Sequence, residues 1–283
     1  MIQVENLVYT YPRAEHPTVK GISFHVDAGE IFGFLGPSGA GKSTTLNVLI
    51  RLLKGFDGEI VVLDRNLREW QDEYYEHIGV GFELPNHYRK LTALENLQFF
   101  ASFYDRKTRD PMSLLALVGL QEHAGKKVED FSKGMKMRLN FVRALLHDPE
   151  ILFLDEPTSG LDPVNARAMK DIILDLKRRG KTVIVTTHNM HDAEELCDRV
   201  AFIVGGELKL IEAPKTLKLQ AGQRTVKVEY GPDGSAVLEL PLDGLADSAE
   251  FLRVLREERI QAIHSQEATL EKVFVEATGA RIE

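Results

Sequence analysis

The run GPSGAGKS, Gly36 to Ser43, restricts what this chain can fold into more than any other stretch. It fits G-x-x-x-x-G-K-[ST] and stands between a short apolar run, EIFGFLG, and a segment of helical spacing, KSTTLNVLIRLL. A phosphate-binding loop requires that strand–loop–helix context. Glycines let the backbone curl until several N–H groups face one anion, and the helix N-terminus adds its partial positive charge. Gly36, Pro37, Ser38, Gly39, Ala40 and Gly41 are therefore expected to cradle the phosphates of a nucleotide, with Thr44 just inside the helix. Lys42 is placed to reach the β- and γ-phosphates, and the Ser43 hydroxyl suits Mg²⁺.

A second anchor lies downstream. ILFLDEP, residues 151–157, is an apolar strand ending in two adjacent acids. Asp155 suits holding Mg²⁺, and Glu156, pointing elsewhere, suits orienting or deprotonating an attacking water. EILFLDEP and KTVIVTTH read as buried strands separated by an amphipathic helix over 164–179, the pattern of a parallel sheet covered on both faces. Residues 1–30 hold two alternating runs, IQVENLVYTY and TVKGISFHV, which predict an antiparallel meander.

Residues 92–146 are mostly helical in period. TALENLQFFASFY opens with a capping box at Thr92 and Glu95, and DPMSLLALVGL places a proline just inside a helix. Gly205-Gly206 reads as a hairpin turn. The fold class is α/β, with an ATP-binding domain over 1–214, a helical subdomain over 84–146 and a small α+β appendage over 215–283. The appendage reads as strand, GPDG turn, strand, a helix over 247–258, a short strand and a final helix.

Composition excludes several classes. With 43% hydrophobic and 28% charged residues the 283-residue chain is that of a globular protein, and no apolar run approaches the roughly 20 residues of a membrane-spanning helix. The N-terminus lacks a basic region followed by an apolar one, so no secretory signal is expected. One cysteine, Cys197, rules out an internal disulfide framework and suits a reducing compartment. A net charge of −8 argues against broad nucleic-acid binding, and no nucleic-acid partner is expected.

The order GPSGAGKST, FSKGMKMRL, ILFLDEPTSGLD, TTH over residues 1–215 resembles the ATP-binding subunit of an ABC transporter, a P-loop NTPase whose phosphate loop is the Walker A motif. The resemblance implies a homodimer or pseudo-dimer of such subunits, each ATP held between one phosphate loop and the other subunit's signature loop. It implies that Tyr11 stacks on adenine, that Asp162 lies on a loop crossing the dimer interface, and that His188 contacts the γ-phosphate and attacking water. The signature loop departs from the family's commonest Leu-Ser-Gly-Gly-Gln. It reads Phe131, Ser132, Lys133, Gly134, Met135, so Ser132, Lys133, Gly134 and Met135 are the expected contacts to the partner's ATP.

This SKGM form resembles subunits of exporters that pair with a separate short permease, and SQEATLEKVFVEATG, residues 265–279, resembles the end of drug- and lipid-export ATPases. In IGVGFELPNHY, Glu83 closes a strand where the family keeps a glutamine touching Mg²⁺ and water, which makes Glu83 a metal candidate beside Ser43 and Asp155. Tyr88 to Phe100 is then the stretch that couples ATP state to the permease. The implied function is an ATP-binding and hydrolysing subunit that energises a membrane exporter from the inner face of the cell membrane. The alternative is a soluble ABC-type ATPase acting on ribosomes or DNA. Such proteins generally carry two cassettes or a long coiled-coil insertion, and this chain has one cassette. The exported substrate is not legible, since its binding surface belongs to the permease.

Overall fold

The computed structural model describes residues 1–220, 225–233, 235–266 and 268–279. The chain divides into two compact units, Met1–Ile211 and Glu212–Ala280. The first begins with β1 (Ile2–Tyr9) and β2 (Val19–Val26), after which β3 (Ile31–Leu35) runs through the phosphate loop into α1 (Lys42–Leu49). β4 (Asp57–Val62), β5 (Arg65–Asn66) and β6 (Ile78–Gly81) lead to the helices α2 (Ala93–Ala101), α3 (Pro111–Leu117) and α4 (Lys133–Arg143). β7 (Ile151–Asp155), α5 (Pro163–Arg178), β8 (Thr182–Thr187), α6 (Met190–Leu196), β9 (Arg199–Val204) and β10 (Glu207–Glu212) follow.

Two sheets organise these elements. One has the order β2-β1-β4-β5, so the antiparallel β1–β2 pair continues on the far side of β1 into β4. Along β1, Ile2 and Val4 are buried in alternation, and an irregularity at Asn6, φ 51°, shifts the register so that Leu7 and Tyr9 are buried in turn. The other sheet has the order β10-β9-β3-β8-β7-β6, with β9, β3, β8, β7 and β6 in parallel. β3, β7 and β8 are buried along their whole length, which is why apolar residues fall on both faces of each rather than alternating; the polar exceptions, Asp155 on β7 and Thr182, Thr186 and Thr187 on β8, lie at strand ends. The carboxyl ends of β3 and β7 are adjacent to that of β8 between them, which brings the phosphate loop and the two acids to one edge.

Local chemistry accounts for the helix ends. Thr92 and Glu95 form the full reciprocal capping box on α2, and Asp110 with Pro111 starts α3. α1 is shorter than its helical spacing predicts. It stops at Leu49 because Arg51 adopts a left-handed φ of 60° and the N–H groups of Leu52 and Leu53 both turn back to the Asn47 carbonyl. Gly205 and Gly206 sit at φ 57° and 85° between β9 and β10, the conformation a two-residue hairpin needs.

The second unit does not begin with a strand as the sequence suggests. α7 (Pro214–Gln220) comes first, then β11 (Thr225–Tyr230), β12 (Ala236–Pro241), α8 (Ala249–Glu257), β13 (Ile260–Gln266) and α9 (Leu270–Thr278). Its sheet has the order β12-β11-β13 over a small core of Val226, Val228, Leu238 and Val254. Gly234 of the GPDG turn and Glu267 of the 265–279 stretch lie outside the described residues.

Candidate nucleotide site

Gly36 leaves β3 where any side chain is excluded. A Cβ there would stand 2.1 Å from the Ile203 carbonyl oxygen. Pro37 is half-buried, Ser38 and Gly39 form the exposed tip, and Ala40 is buried again with its carbonyl accepting from Gly206 N at 3.0 Å. Gly41, at φ 107°, caps α1 in a conformation that favours glycine. The loop is thus a backbone cradle at a helix N-terminus, the geometry that a polyphosphate fits.

Lys42 is buried, and its ammonium donates to the Gly36 and Pro37 carbonyls at 2.7 and 3.0 Å. Burial pulls its pKa below the ordinary lysine value, while the charges of Glu156, Asp155 and Glu83 oppose that shift. Three carboxylates therefore lie near enough to this one cation to act on its charge. Ser43 Oγ donates to Asp155 Oδ1 at 3.1 Å, and Thr186 Oγ1 donates to the same oxygen. The Tyr11 hydroxyl lies 3.2 Å from Thr44 Oγ1, and its partly exposed ring packs edge-on to Tyr9 with centroids 5.1 Å apart.

Glu156 follows β7 in a left-handed conformation, φ 49°, which is uncommon for a non-glycine residue and turns its side chain off the path of the strand. Its carboxylate is held on both oxygens. Oε1 accepts from the His188 backbone N–H at 3.0 Å and from His188 Nδ1 at 2.7 Å, and Oε2 accepts from Thr187 Oγ1 at 3.2 Å. Glu156 is buried, whereas the His188 side chain is half-exposed, so the pair opens on one side to solvent.

Glu83 lies two residues beyond the end of β6, in an exposed bend, and not at the end of the strand itself. The bend is anchored by Asn140 Nδ2, which donates to the Phe82 carbonyl at 2.8 Å, and Glu83 stands close enough to Lys42 to act on its charge.

A second cluster gathers the other predicted residues. Ser132 caps α4 by accepting from Met135 N at 3.2 Å, and the Lys133 side chain lies across Gly160. Gly134 approaches Leu161, which its Cβ would meet at 3.4 Å. Asp162 caps α5, accepting from Val164 N and Asn165 N at 3.1 and 3.0 Å. The Asn165 side chain and backbone hold its carboxyl below the usual range. Ser132, Lys133 and Asp162 are all exposed.

Sequence reasoning missed two features. Thr186 and Thr187 hold the two acids, and only the parallel register of β7 and β8 brings them there. The other is a cleft of about 500 Å³ lined by Val80, Phe82, Tyr88, Phe100, Tyr104 and Arg143 among others. Arg143 donates to the Asn86 carbonyl at 2.6 Å and lies 4.5 Å from the Phe100 ring centre, and burial lowers its pKa. The aromatic spacing of Tyr88, Phe99, Phe100 and Phe103 in sequence was the available signal for this cleft.

Comparison with known proteins follows the same outline. A family model described as ABC transporter matches residues 19–159, and one described as fluoroquinolone efflux ABC transporter C-terminal domain matches residues 224–267. A fluoroquinolones export ATP-binding protein of Mycobacterium tuberculosis is 56% identical over 284 residues, covering 100% of this chain and 94% of the relative. A linearmycin resistance ATP-binding protein of Bacillus subtilis is 36% identical, covering 90% and 79%. Among solved structures, the dimeric post-hydrolysis state of an ATP-binding cassette bound to ADP and Pi superposes with a TM-score of 0.70 at 28% identity, covering 75% of this chain and 98% of that one.

Proposed function

This chain belongs to the ABC transporter ATP-binding proteins, is the ATP-binding and hydrolysing subunit of an export system, and from that premise we propose that it energises efflux of fluoroquinolone-type drugs. The observation that carries this finer reading is the agreement with the fluoroquinolone export ATP-binding protein over the whole chain, its C-terminal unit included. The relatives are export ATP-binding proteins, which removes the ribosome- or DNA-acting alternative.

The geometry supports these residue roles. The phosphate loop and Lys42 bind the phosphates, and Lys42 exchanges its two carbonyl acceptors for phosphate oxygens. Tyr11 offers its ring to the base beside Thr44. The oxygen donors Ser43 and Asp155, 3.1 Å apart, fit a hard cation such as Mg²⁺. No group of three His, Cys, Asp or Glu side chains forms a metal cage among the described residues; Ser43 and Asp155 would be the protein's share of the ion's oxygen shell. Glu83 is a third candidate for that shell. When bound, Mg²⁺ neutralises charge on the transferred phosphoryl group. Glu156 accepts the proton of the attacking water, and His188, already bonded to Glu156, orients it and faces the γ-phosphate.

One chain offers half of each site. Ser132, Lys133, Gly134, Met135 and Asp162 form an outward-facing cluster suited to a second subunit, and the dimeric state of the superposed cassette supports that reading. No helix among the described residues is long and apolar enough to cross a membrane. Membership of the export ATP-binding subunits supports a separate permease as the pathway, with this subunit bound to it peripherally. The aromatic cleft around Tyr88, Phe100 and Arg143 joins the helical subdomain to β6 and is the docking place for that permease. The test is whether a multi-spanning membrane protein co-purifies with this chain, together with drug accumulation in cells that express both. Co-purification with reduced accumulation supports the reading, and unchanged accumulation of fluoroquinolones alone would reject the substrate class.

A further inference from the structure

β7 and β8 run in parallel with Asp155 opposite Thr186, and Glu156 N donates to the Thr186 carbonyl at 3.0 Å. This register sets two successive hydroxyls beside two successive acids. Thr186 is fully buried and donates to Asp155 Oδ1, the oxygen that also receives Ser43. Thr187 is 2% exposed and donates to Glu156 Oε2 at 3.2 Å. Thr187 Oγ1 also accepts from Asn189 N at 3.0 Å, and Asn189 in turn caps α6. A threonine hydroxyl has one proton to donate. With Asn189 N–H occupying a lone pair, that proton is committed to Glu156 and the rotor is fixed.

We infer that Thr186 and Thr187 are paired positioning residues, Thr186 setting Asp155 for its metal-facing role and Thr187 setting Glu156 for proton abstraction. The inference rests on the hydrolytic reading above. Glu156 sits just past the end of β7 at φ 49°, and its backbone bond to Thr186 does not by itself fix the carboxylate. Three donors do so instead, and His188 supplies only two of them, both on Oε1. Without Thr187, Oε2 is unanchored and the carboxylate plane is held only through the two donors on Oε1. Hydrogen bonds to charged groups are worth enough to change a rate about 10- to 100-fold when lost at the transition state.

The test uses the full chain carrying Thr187→Val, Thr187→Ser, Thr186→Val or Thr186→Ser. Steady-state ATPase is measured beside binding of a fluorescent ATP analogue titrated with Mg²⁺. Thr187→Val is expected to lower kcat about 10- to 100-fold, with KM and analogue affinity within about twofold, and Thr187→Ser to recover most of the loss. In a Glu156→Gln background Thr187→Val should add less than about twofold, because the group it positions is gone. Thr186→Val should instead raise the Mg²⁺ concentration needed for half-maximal analogue binding by roughly tenfold, with Thr186→Ser restoring it and Thr187→Val leaving it in place.

Normal kcat in Thr187→Val, equal impairment in the Val and Ser variants, or parallel loss of both readouts in all four would overturn the inference. Should the Val variants fail to fold, Thr187→Ala and Thr186→Ala are read by the same criteria. The two levels of reading fail differently. A Glu156→Gln enzyme with normal turnover defeats the hydrolytic assignment, whereas an inactive Glu156→Gln with a normal Thr187→Val defeats only the positioning role.

Discussion

Glu156→Gln removes one proton acceptor and leaves the rest of the site in place. Glutamine has the same length, and its carbonyl oxygen can still accept from His188 N and Nδ1, the two donors now on Oε1. Its amide nitrogen would face Thr187 Oγ1, which then turns to accept instead of donating. The structural change is therefore one reversed hydrogen bond near a residue that is already anchored. Loss of the acceptor removes general-base assistance, worth about 10²- to 10⁴-fold, or roughly 3–5 kcal/mol of barrier. Binding should survive, because the glycine cradle and Lys42 are untouched and one of the three carboxylates near Lys42 loses its charge. The assay is phosphate release at saturating ATP, run beside size-exclusion chromatography with and without ATP. Turnover should fall at least 100-fold while ATP shifts the variant to a dimer. Turnover within about threefold of the unaltered protein would refute the role given to Glu156.

Gly36→Ala places a methyl group 2.1 Å from the Ile203 carbonyl oxygen, so the loop must move; ATP-analogue binding should fall at least tenfold, and unchanged affinity would remove the cradle argument. His147 is buried, donates from Nε2 to the Ile78 carbonyl at 2.9 Å, and is held neutral by burial with its pKa lowered to about 4. The unfolded chain binds its proton more readily, so stability is fully present above the unfolded value near 6.5 and is lost as pH falls toward 4, by about 3 kcal/mol for this histidine; His147→Gln should remove that share of the acid loss measured by urea unfolding, while His87, its pKa also lowered to about 4 by burial, keeps its own. Thr92→Ala removes the side-chain acceptor from the α2 capping box and should cost about 1 kcal/mol, seen as a lower urea midpoint with ATP affinity unaltered.

The parts of the site that lie within one contiguous stretch were legible in the sequence. Gly36 to Ser43 needs only its own backbone and the helix it opens, and ILFLDEP carries its strand and its acids together. What depends on distant strands was not. The placing of Thr186 and Thr187 against Asp155 and Glu156 comes from the register of β7 with β8, 31 residues apart in sequence. Glu83 read as a strand end, but β6 is only four residues long and stops at Gly81, where pairing with β7 ends opposite Leu154. α1 was read too long, because its apolar spacing continues through Leu52 and Leu53 while Arg51 turns left-handed and ends the helix. α7 was missed because Pro214 and a short run before Gln220 give little helical period to read.

The central claim is that this chain supplies ATP-derived work to a drug-exporting permease. Its most direct test is drug uptake into everted membrane vesicles that carry the multi-spanning protein with which this chain co-purifies. With this chain added, ATP should drive fluoroquinolone accumulation in the vesicles, and the Glu156→Gln protein should bind the same vesicles without driving it. Equal ATP-dependent uptake with and without this chain, or with Glu156→Gln in its place, would contradict the account.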